Sequence, residues 1–502
     1  MKIKKIAILI CCSFLLGTGN LLAQQAVQMK EQYRPQVHFS PQKNWMNDPN
    51  GMVYHNGVYH LFFQYNPYSS VWGPMHWGHA SSKDLIHWQQ QPIAIYPDSL
   101  GTIFSGSAVV DKNNTAGFGK KGQQPLVAIF TQHDTIGEKA GRNNFQNQSI
   151  AYSLNEGKTW IKYAGNPVIK NPGIKDFRDP KVMWLEQQKK WIMVLAARDI
   201  VSFYSSPDLK NWTKESDFGK DLGAHGGGWE CPDLIELEYS DNKTGHLNRR
   251  WVLIVNLNPG APNGGSGTQY FIGNFDGKTF TTDQKDTRWL DYGPDNYAGV
   301  TWSNTGKRKI LIGWMTNWLY ANQVPTEKWR NAMTIPRELQ LKEVGESVFL
   351  TSKPVAELAA IQSKPVSVAN GSTKIPLPCR LDISMNTNND FSLDLSNDVN
   401  EKLVIGYDKN SNQYFIDRSA SGKVDFNKDF AAKHWAPRLT NNAGMNITIL
   451  VDKSSVELFA DDGLTVMTSV FFPTRPYKNI HLQSNEKKAS PKLKYTQLKS
   501  IW

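Results

Sequence analysis

Apolar residues in this chain fall in short runs broken by charged, polar or glycine-rich stretches, which is the texture of strands. Residues 53–63 read as a strand, an Asn56-Gly57 turn and a second strand, a strong short-range hairpin signal. Runs at 191–196, 251–255 and 310–314 are equally short, and no long amphipathic helix is discernible before residue 350. A repeat underlies the pattern. Ser82…Asp84…Trp88, Ser153…Asn155…Trp160, Ser206…Asp208…Trp212 and Asn274…Asp276…Phe280 are polar turns that each end on an aromatic residue. Intervals of roughly 50–70 residues leave room for four short strands each, as in one propeller blade. Residues 35–345 then allow five blades. Beyond residues 335–339 the texture changes to a short helix at 354–362 and alternating strands, which fits a β-sandwich over 355–502. The expected fold is all-β, a five-bladed β-propeller followed by a C-terminal β-sandwich.

The chain has 502 residues, enough for two or more domains with ordinary cores. Lys2, Lys4 and Lys5 precede an apolar stretch at 6–16 that is too short to span a bilayer, and Ala23 offers a cleavage point. Residues 1–23 therefore read as a signal peptide, with export to the periplasm or the cell exterior and no membrane insertion once it is removed. Cys11 and Cys12 lie inside the apolar stretch, early for a lipid attachment site. That leaves Cys231 and Cys379, too few for a disulfide scaffold; one bridge between them stays open, and two free, buried thiols are the preferred reading. The net charge of +11 is dispersed, without a stripe of arginines interleaved with aromatics, so no nucleic-acid partner is expected. The 17 tryptophans suit either a β-rich core or the faces of sugars.

Three stretches put carboxylates in settings that suggest chemistry. In Asn47-Asp48-Pro49-Asn50-Gly51, Pro49 presets φ near about −65° and Asn50-Gly51 tolerate the remaining turn conformations, so a tight turn should pin Asp48. Trp45 offers a ring face for a sugar, and Asn47 an amide donor and acceptor for hydroxyls. In Asp176-Phe177-Arg178-Asp179-Pro180, Arg178 should favour the ionised form of Asp179. In Trp229-Glu230-Cys231-Pro232, a glutamate sits among weakly polar neighbours, a setting suited to a proton donor. Each stretch alone is commonly structural, but in a propeller residues of successive blades converge on the central channel.

Together these stretches resemble the signatures, in order, of the β-fructosidases, glycoside hydrolase family 32. Gln64, the segment from Trp72 to Trp77, Phe104-Ser105, Asn317-Trp318 and the 329–338 exit also match, and within the sandwich the 452–459 stretch does. The likeness is greatest to secreted bacterial levanases and exo-inulinases. The resemblance implies a retaining hydrolase of terminal fructosyl units in fructans and sucrose, with a fructan or fructo-oligosaccharide as its partner. By the same resemblance Asp48 would be the nucleophile, Glu230 the acid and base, and Asp179 the stabiliser of the oxocarbenium-like state. Asn47, Gln64, Trp72, Phe104, Ser105, Arg178 and Trp318 would line the pocket beside Trp45, with Asp295 a further candidate. No cofactor or metal is expected: His76 and His79 lack further ligands, and Cys231 lacks the histidine partner of a thiol nucleophile. Fructosyl transfer on the same site and a propeller that only binds fructan are the rival readings.

Overall fold

The computed structural model describes residues 29–368, 371–385, 389–484 and 491–502; the signal peptide expected at 1–23 lies outside them. The described chain is almost wholly strand, its one α-helix being the short Thr135–Lys139. Asn56 and Gly57 both take positive φ, 47° and 82°, and the strands Asn44–His55 and Val58–Asn66 pair across them as the sequence suggests.

Strands between Asn44 and Pro354 form five sheets of four or five strands. They open in turn with Asn44–His55, Thr102–Val110, Phe177–Leu185, Gly228–Ser240 and Tyr297–Thr301. Each opening strand lies against the next, and the fifth returns to the first. Trp329–Arg330 leaves the fifth sheet's sequence to pair in parallel with Asn44 and Trp45 of the first. The fifth sheet closes with the hairpin Arg337–Val344 and Ser347–Pro354, which runs past residue 345.

The repeat seen in the sequence is the turn between the third and fourth strands of each of the first four sheets. Asp84 accepts the amides of Ile86 and His87, and Asp208 those of Lys210 and Asn211, with Leu85 and Leu209 both at φ 65°. Asn155 and Asp276 hold the equivalent turns through Thr159 and through Lys278 and Thr279. The aspartate or asparagine side chain replaces the turn's missing backbone bonds, which is why the motif survives on an exposed edge.

From Val366 onward the strands form two six-stranded sheets whose inner faces share one apolar core of Leu381, Leu393, Ile405, Ile449, Leu458 and their neighbours. The short helix expected at 354–362 is a 3-10 segment, Ala356–Ile361. The whole is consistent with a propeller joined to a sandwich.

Buried charges join the two groups of sheets. Arg337 donates to Asp291 at 2.8 Å and to Glu457 at 3.0 Å, and all three side chains are without solvent exposure. His38, from the segment before the first strand, bridges Asp452 at 2.8 Å and Glu457 at 2.7 Å. Burial opposes protonation of His38, but its two carboxylate partners outweigh it and hold the imidazole's pKa at about 9. Asp295, a candidate site residue, belongs to a second such contact: it pairs with Arg418 at 2.6 Å and accepts from Tyr320 at 2.6 Å. Its surroundings are structural, and it lines the junction rather than a sugar-sized cavity.

Candidate active site

All five opening strands lose register at the same end. The gaps fall at Asn47-Asp48, Phe104-Ser105, Asp179-Pro180, Cys231-Pro232 and Ala298-Gly299. A bulge re-aims a side chain out of the pleat, and proline supplies no N–H to leave unpaired, so Pro49, Pro180 and Pro232 sit beside these gaps at little cost. Asp179, Cys231 and Ala298 take φ of 65°, 43° and 53° there.

The expected tight turn at Asp48-Pro49-Asn50-Gly51 is therefore a pair of irregularities within the strand Asn44–His55. Pro49 and Asn50 still pair with Phe63 and Phe62, which keeps the segment in the sheet. Gly51 is required: it has φ 58°, and a Cβ there would lie 2.5 Å from the Trp77 ring.

The bulges deliver three carboxylates to one place. Asp48 Oδ2 accepts from Ser105 Oγ at 2.7 Å and Asp48 Oδ1 from Asn47 Nδ2 at 3.0 Å. The Cys231 thiol lies 3.5 Å from Asp48 Oδ2, while the Cys231 amide donates to Asp179 Oδ2 at 3.1 Å. One residue thus touches two carboxylates, and Glu230 precedes it in the chain. Glu230 Oε1 accepts from Arg178 Nη2 at 2.6 Å, and Oε2 accepts from the Tyr297 hydroxyl. Arg178 also pairs with Asp176 at 2.6 Å and lies 3.8 Å from Asp179.

Burial dominates the electrostatics. It raises the pKa of Asp48, with the charge of Glu230 adding to it, while the donors Ser105, Asn47 and Cys231 pull the other way. It raises Asp179 to about 7; Arg178 opposes, and Glu230 and Asp48 reinforce. As expected, Arg178 favours the ionised form of Asp179, but burial outweighs it; the guanidinium, 3.8 Å away, also pairs with two closer carboxylates. Arg178 itself stays charged, its burial outweighed by Glu230, Asp179 and Asp176. Burial and the charges of Asp179, Asp48 and Glu230 push the Cys231 thiol well up, so it is a neutral donor rather than a nucleophile. Cys231 and Cys379 are both free and buried.

These groups face a cavity of about 330 Å³. Asn47, Asp48, Gln64, Trp72, Phe104, Ser105, Arg178, Asp179, Glu230 and Trp318 line it. Trp45 lies outside the lining. Its ring is fully buried behind Trp318, stacked at 6.0 Å, and its indole N–H holds Asn47 at 2.8 Å. His76 and His79 point into different surroundings, His76 to the Pro74 carbonyl and His79 to His60.

Sequence reasoning passed over Tyr297, His133, Glu138, Gln146 and Asn322. Tyr297 had a usable signal, since it stands at the fifth opening strand's bulge where the other four strands carry site residues. His133, stacked on Phe104 at 4.2 Å and bonded to Glu138 at 3.0 Å, comes from a second strand and had none. A larger cavity, about 640 Å³, lies at the other ends of the opening strands, but its buried carboxylate Asp233 is held by Lys181 at 3.1 Å and by Thr301. The three carboxylates Asp48, Asp179 and Glu230 face the smaller one.

A carboxylate cluster at the bulged ends of five strands, beside aromatic rings and amides, defines a class of carbohydrate hydrolase. The profile of the glycosyl hydrolases family 32 N-terminal domain matches residues 38–354, and that of the family's C terminal matches 346–500. A levanase of Bacillus subtilis (strain 168) is 46% identical over 524 residues, covering 100% of this chain and 76% of the levanase. The crystal structure of an exo-inulinase from Aspergillus awamori is 38% identical with a TM-score of 0.86, covering 94% of this chain and 100% of that one. A fructofuranosidase from Schwanniomyces occidentalis, complexed with fructosylnystose, is 33% identical with a TM-score of 0.84, covering 94% and 99%. The chain belongs to glycoside hydrolase family 32 and is a glycoside hydrolase.

Proposed function

We propose that the protein is an exported, retaining exo-β-fructosidase that removes terminal fructosyl units from levan or inulin and also cleaves sucrose. The observation that carries the reading is the meeting of Asp48, Asp179 and Glu230 around Cys231 at one small cavity. The activities of the levanase and exo-inulinase relatives support the same substrate class.

In this reading Asp48 attacks the anomeric carbon, its negative charge supported by the hydrogen bonds from Ser105 and Asn47. Glu230 gives a proton to the leaving oxygen and then takes one from the water that releases the fructosyl unit. Arg178 and Tyr297 keep its carboxyl facing the cavity. Asp179, held by the Cys231 amide, binds ring hydroxyls as positive charge develops on the sugar. Gln64, Trp72, Phe104 and Trp318 seat the terminal ring. A cavity near the lower end of the usual ligand range of roughly 300–1,000 Å³ suits one such ring rather than a chain threading through.

The five sheets serve as blades of a propeller, their opening strands lining the central channel, and the sandwich begins after the hairpin that ends at Pro354. Residues 1–23 direct export to the periplasm or beyond. Among the described residues no helix is long and apolar enough to cross a membrane. A time course on sucrose, levan and inulin tests the function. Fructose should appear from the first turnovers; an early ladder of oligosaccharides would show endo attack, longer fructosides would show transfer, and no product would leave only binding.

A further inference from the structure

The five opening strands belong to five different sheets, so no ladder of backbone bonds fixes the height of one against the next. Yet Asp48, Asp179, Glu230 and Tyr297 converge on one cavity only if those heights are right. The contacts at the cavity, from Cys231 to Asp179 and from Arg178 and Tyr297 to Glu230, involve groups that exchange hydrogen bonds with the sugar during turnover. A frame that holds them has to lie elsewhere.

Just past the bulges the structure has such a frame. Lys181, two residues after Asp179, reaches across to the fourth and fifth opening strands: its ammonium donates to Asp233 Oδ2 at 3.1 Å and to the Thr301 carbonyl at 2.5 Å. Asp233 follows Glu230 by three residues, and its Oδ2 also accepts the Thr301 amide at 2.6 Å and hydroxyl at 2.7 Å. Thr301 in turn ends the strand that carries Tyr297. Neighbouring links extend the frame. Ser107 Oγ donates to the Pro180 carbonyl at 2.9 Å and accepts the Val182 amide at 3.0 Å, holding the third opening strand on both sides of Lys181. Ser303, just past the fifth, donates through its amide to the Met52 carbonyl at 3.0 Å and through its hydroxyl to the Ala108 carbonyl at 2.6 Å.

Asp233 has no solvent exposure and the Lys181 side chain only 11%. A buried ion pair adds little net stability over an apolar pair of the same volume, so stability alone does not account for it. What it supplies is direction. Both partners make their bonds at one relative height of three strands, and misplacing a reacting group by about 1 Å costs on the order of a hundredfold in rate.

We propose that Lys181 and Asp233 are positioning residues for the active site: their ion pair, shared with Thr301, sets the relative heights of the third, fourth and fifth opening strands and so aims Asp179, Glu230 and Tyr297. The inference rests on the roles assigned above to Asp179 and Glu230. Lys181 also lines the larger cavity at the far ends of the strands, which gives a small amine a way in.

The test is Lys181→Ala, assayed on sucrose and on an activated aryl fructoside well below its unfolding midpoint, with and without ethylammonium chloride. In the folded variant kcat on sucrose should fall about a hundredfold while KM stays within about threefold. The aryl fructoside should lose less, since it does not need the proton that Glu230 delivers. Ethylammonium should restore much of kcat, and tetramethylammonium, which has no N–H to donate, should not. A purely structural pair would lower the midpoint and leave kcat within about twofold of wild type. That result, equal losses on the two substrates, or a loss that ethylammonium leaves in place overturns the proposal. If Lys181→Ala does not fold, Thr301→Val decides: it keeps the backbone bonds, removes one hydroxyl from Asp233, and should lower kcat about threefold at constant KM. An unchanged kcat there overturns the proposal equally. Wild-type protein inactive on both substrates would overturn the reading of the cavity, and the proposal with it.

Discussion

Replacing Asp179 with asparagine should stabilise this protein while it disables it, and the gain should depend on pH. In the fold Asp179 is buried, with only 5% of its side chain exposed, and holds its proton to about 7 against 3.8 ordinarily. Between those two values the folded state binds more protons at this site than the unfolded chain does, so stability falls as pH rises. At about 1.4 kcal/mol for each tenfold difference, the ionised carboxylate costs the fold on the order of 4 kcal/mol once pH exceeds 7, and nothing near pH 4. Asparagine keeps the size and an oxygen for the Cys231 amide, now at 3.1 Å from Oδ2, and carries no charge. Arg178 loses its most distant carboxylate and keeps Asp176 and Glu230. The assay is thermal unfolding of both proteins at a fixed scan rate from pH 4 to pH 8.5, with kcat/KM on sucrose at each pH. The midpoint difference should be near zero at pH 4 and grow to a few degrees in favour of the variant above pH 7. Turnover should fall by at least a hundredfold throughout. A midpoint difference independent of pH, or one favouring wild type at high pH, would refute the claim that burial outweighs Arg178.

Other substitutions test the remaining parts. Asp48→Asn should cut turnover by more than a thousandfold with an unaltered circular dichroism spectrum; a tenth of the wild-type rate would remove Asp48 as the nucleophile. Glu230→Gln should slow sucrose far more than an activated aryl fructoside, since only the poorer leaving group needs a proton, and equal losses would assign the proton elsewhere. Arg337→Met should cost about 3–5 kcal/mol in urea unfolding, because it removes the cation paired with Asp291 and leaves Glu457 only His38 in a fully buried junction. The histidine at that junction adds a pH limb: stability from His38 is complete below its ordinary 6.5 and is lost as pH rises through about 9, so a wild-type midpoint that stays flat from pH 7 to 10 would refute its charged state.

Much was legible in the chain because it is written locally. The Asn56-Gly57 hairpin and the Asp84, Asn155, Asp208 and Asp276 turns depend on neighbours within a few residues, so period and turn chemistry reveal them. The three carboxylates were legible for the same reason, each within two residues of a proline in a short motif. Tertiary structure decided what those motifs do in space. Asp48-Pro49 became a bulge rather than a turn because Phe62 and Phe63 of the next strand hold it in the sheet. Trp45 became a support behind Trp318 rather than a wall of the cavity, since strand alternation and the bulge at Asn47 turned its ring inward. Asp179 kept its proton although Arg178 is its neighbour in sequence, because burial outweighs the guanidinium and the charges of Glu230 and Asp48, brought from other sheets, add to it. Tyr297, which meets Glu230 from 67 residues away, and Asp295, drawn to Arg418 in the other group of sheets, show the same division. A sequence determines which groups are available and how the backbone turns beside them; charge coupling and burial are sums over space, and only the closed fold performs the sum.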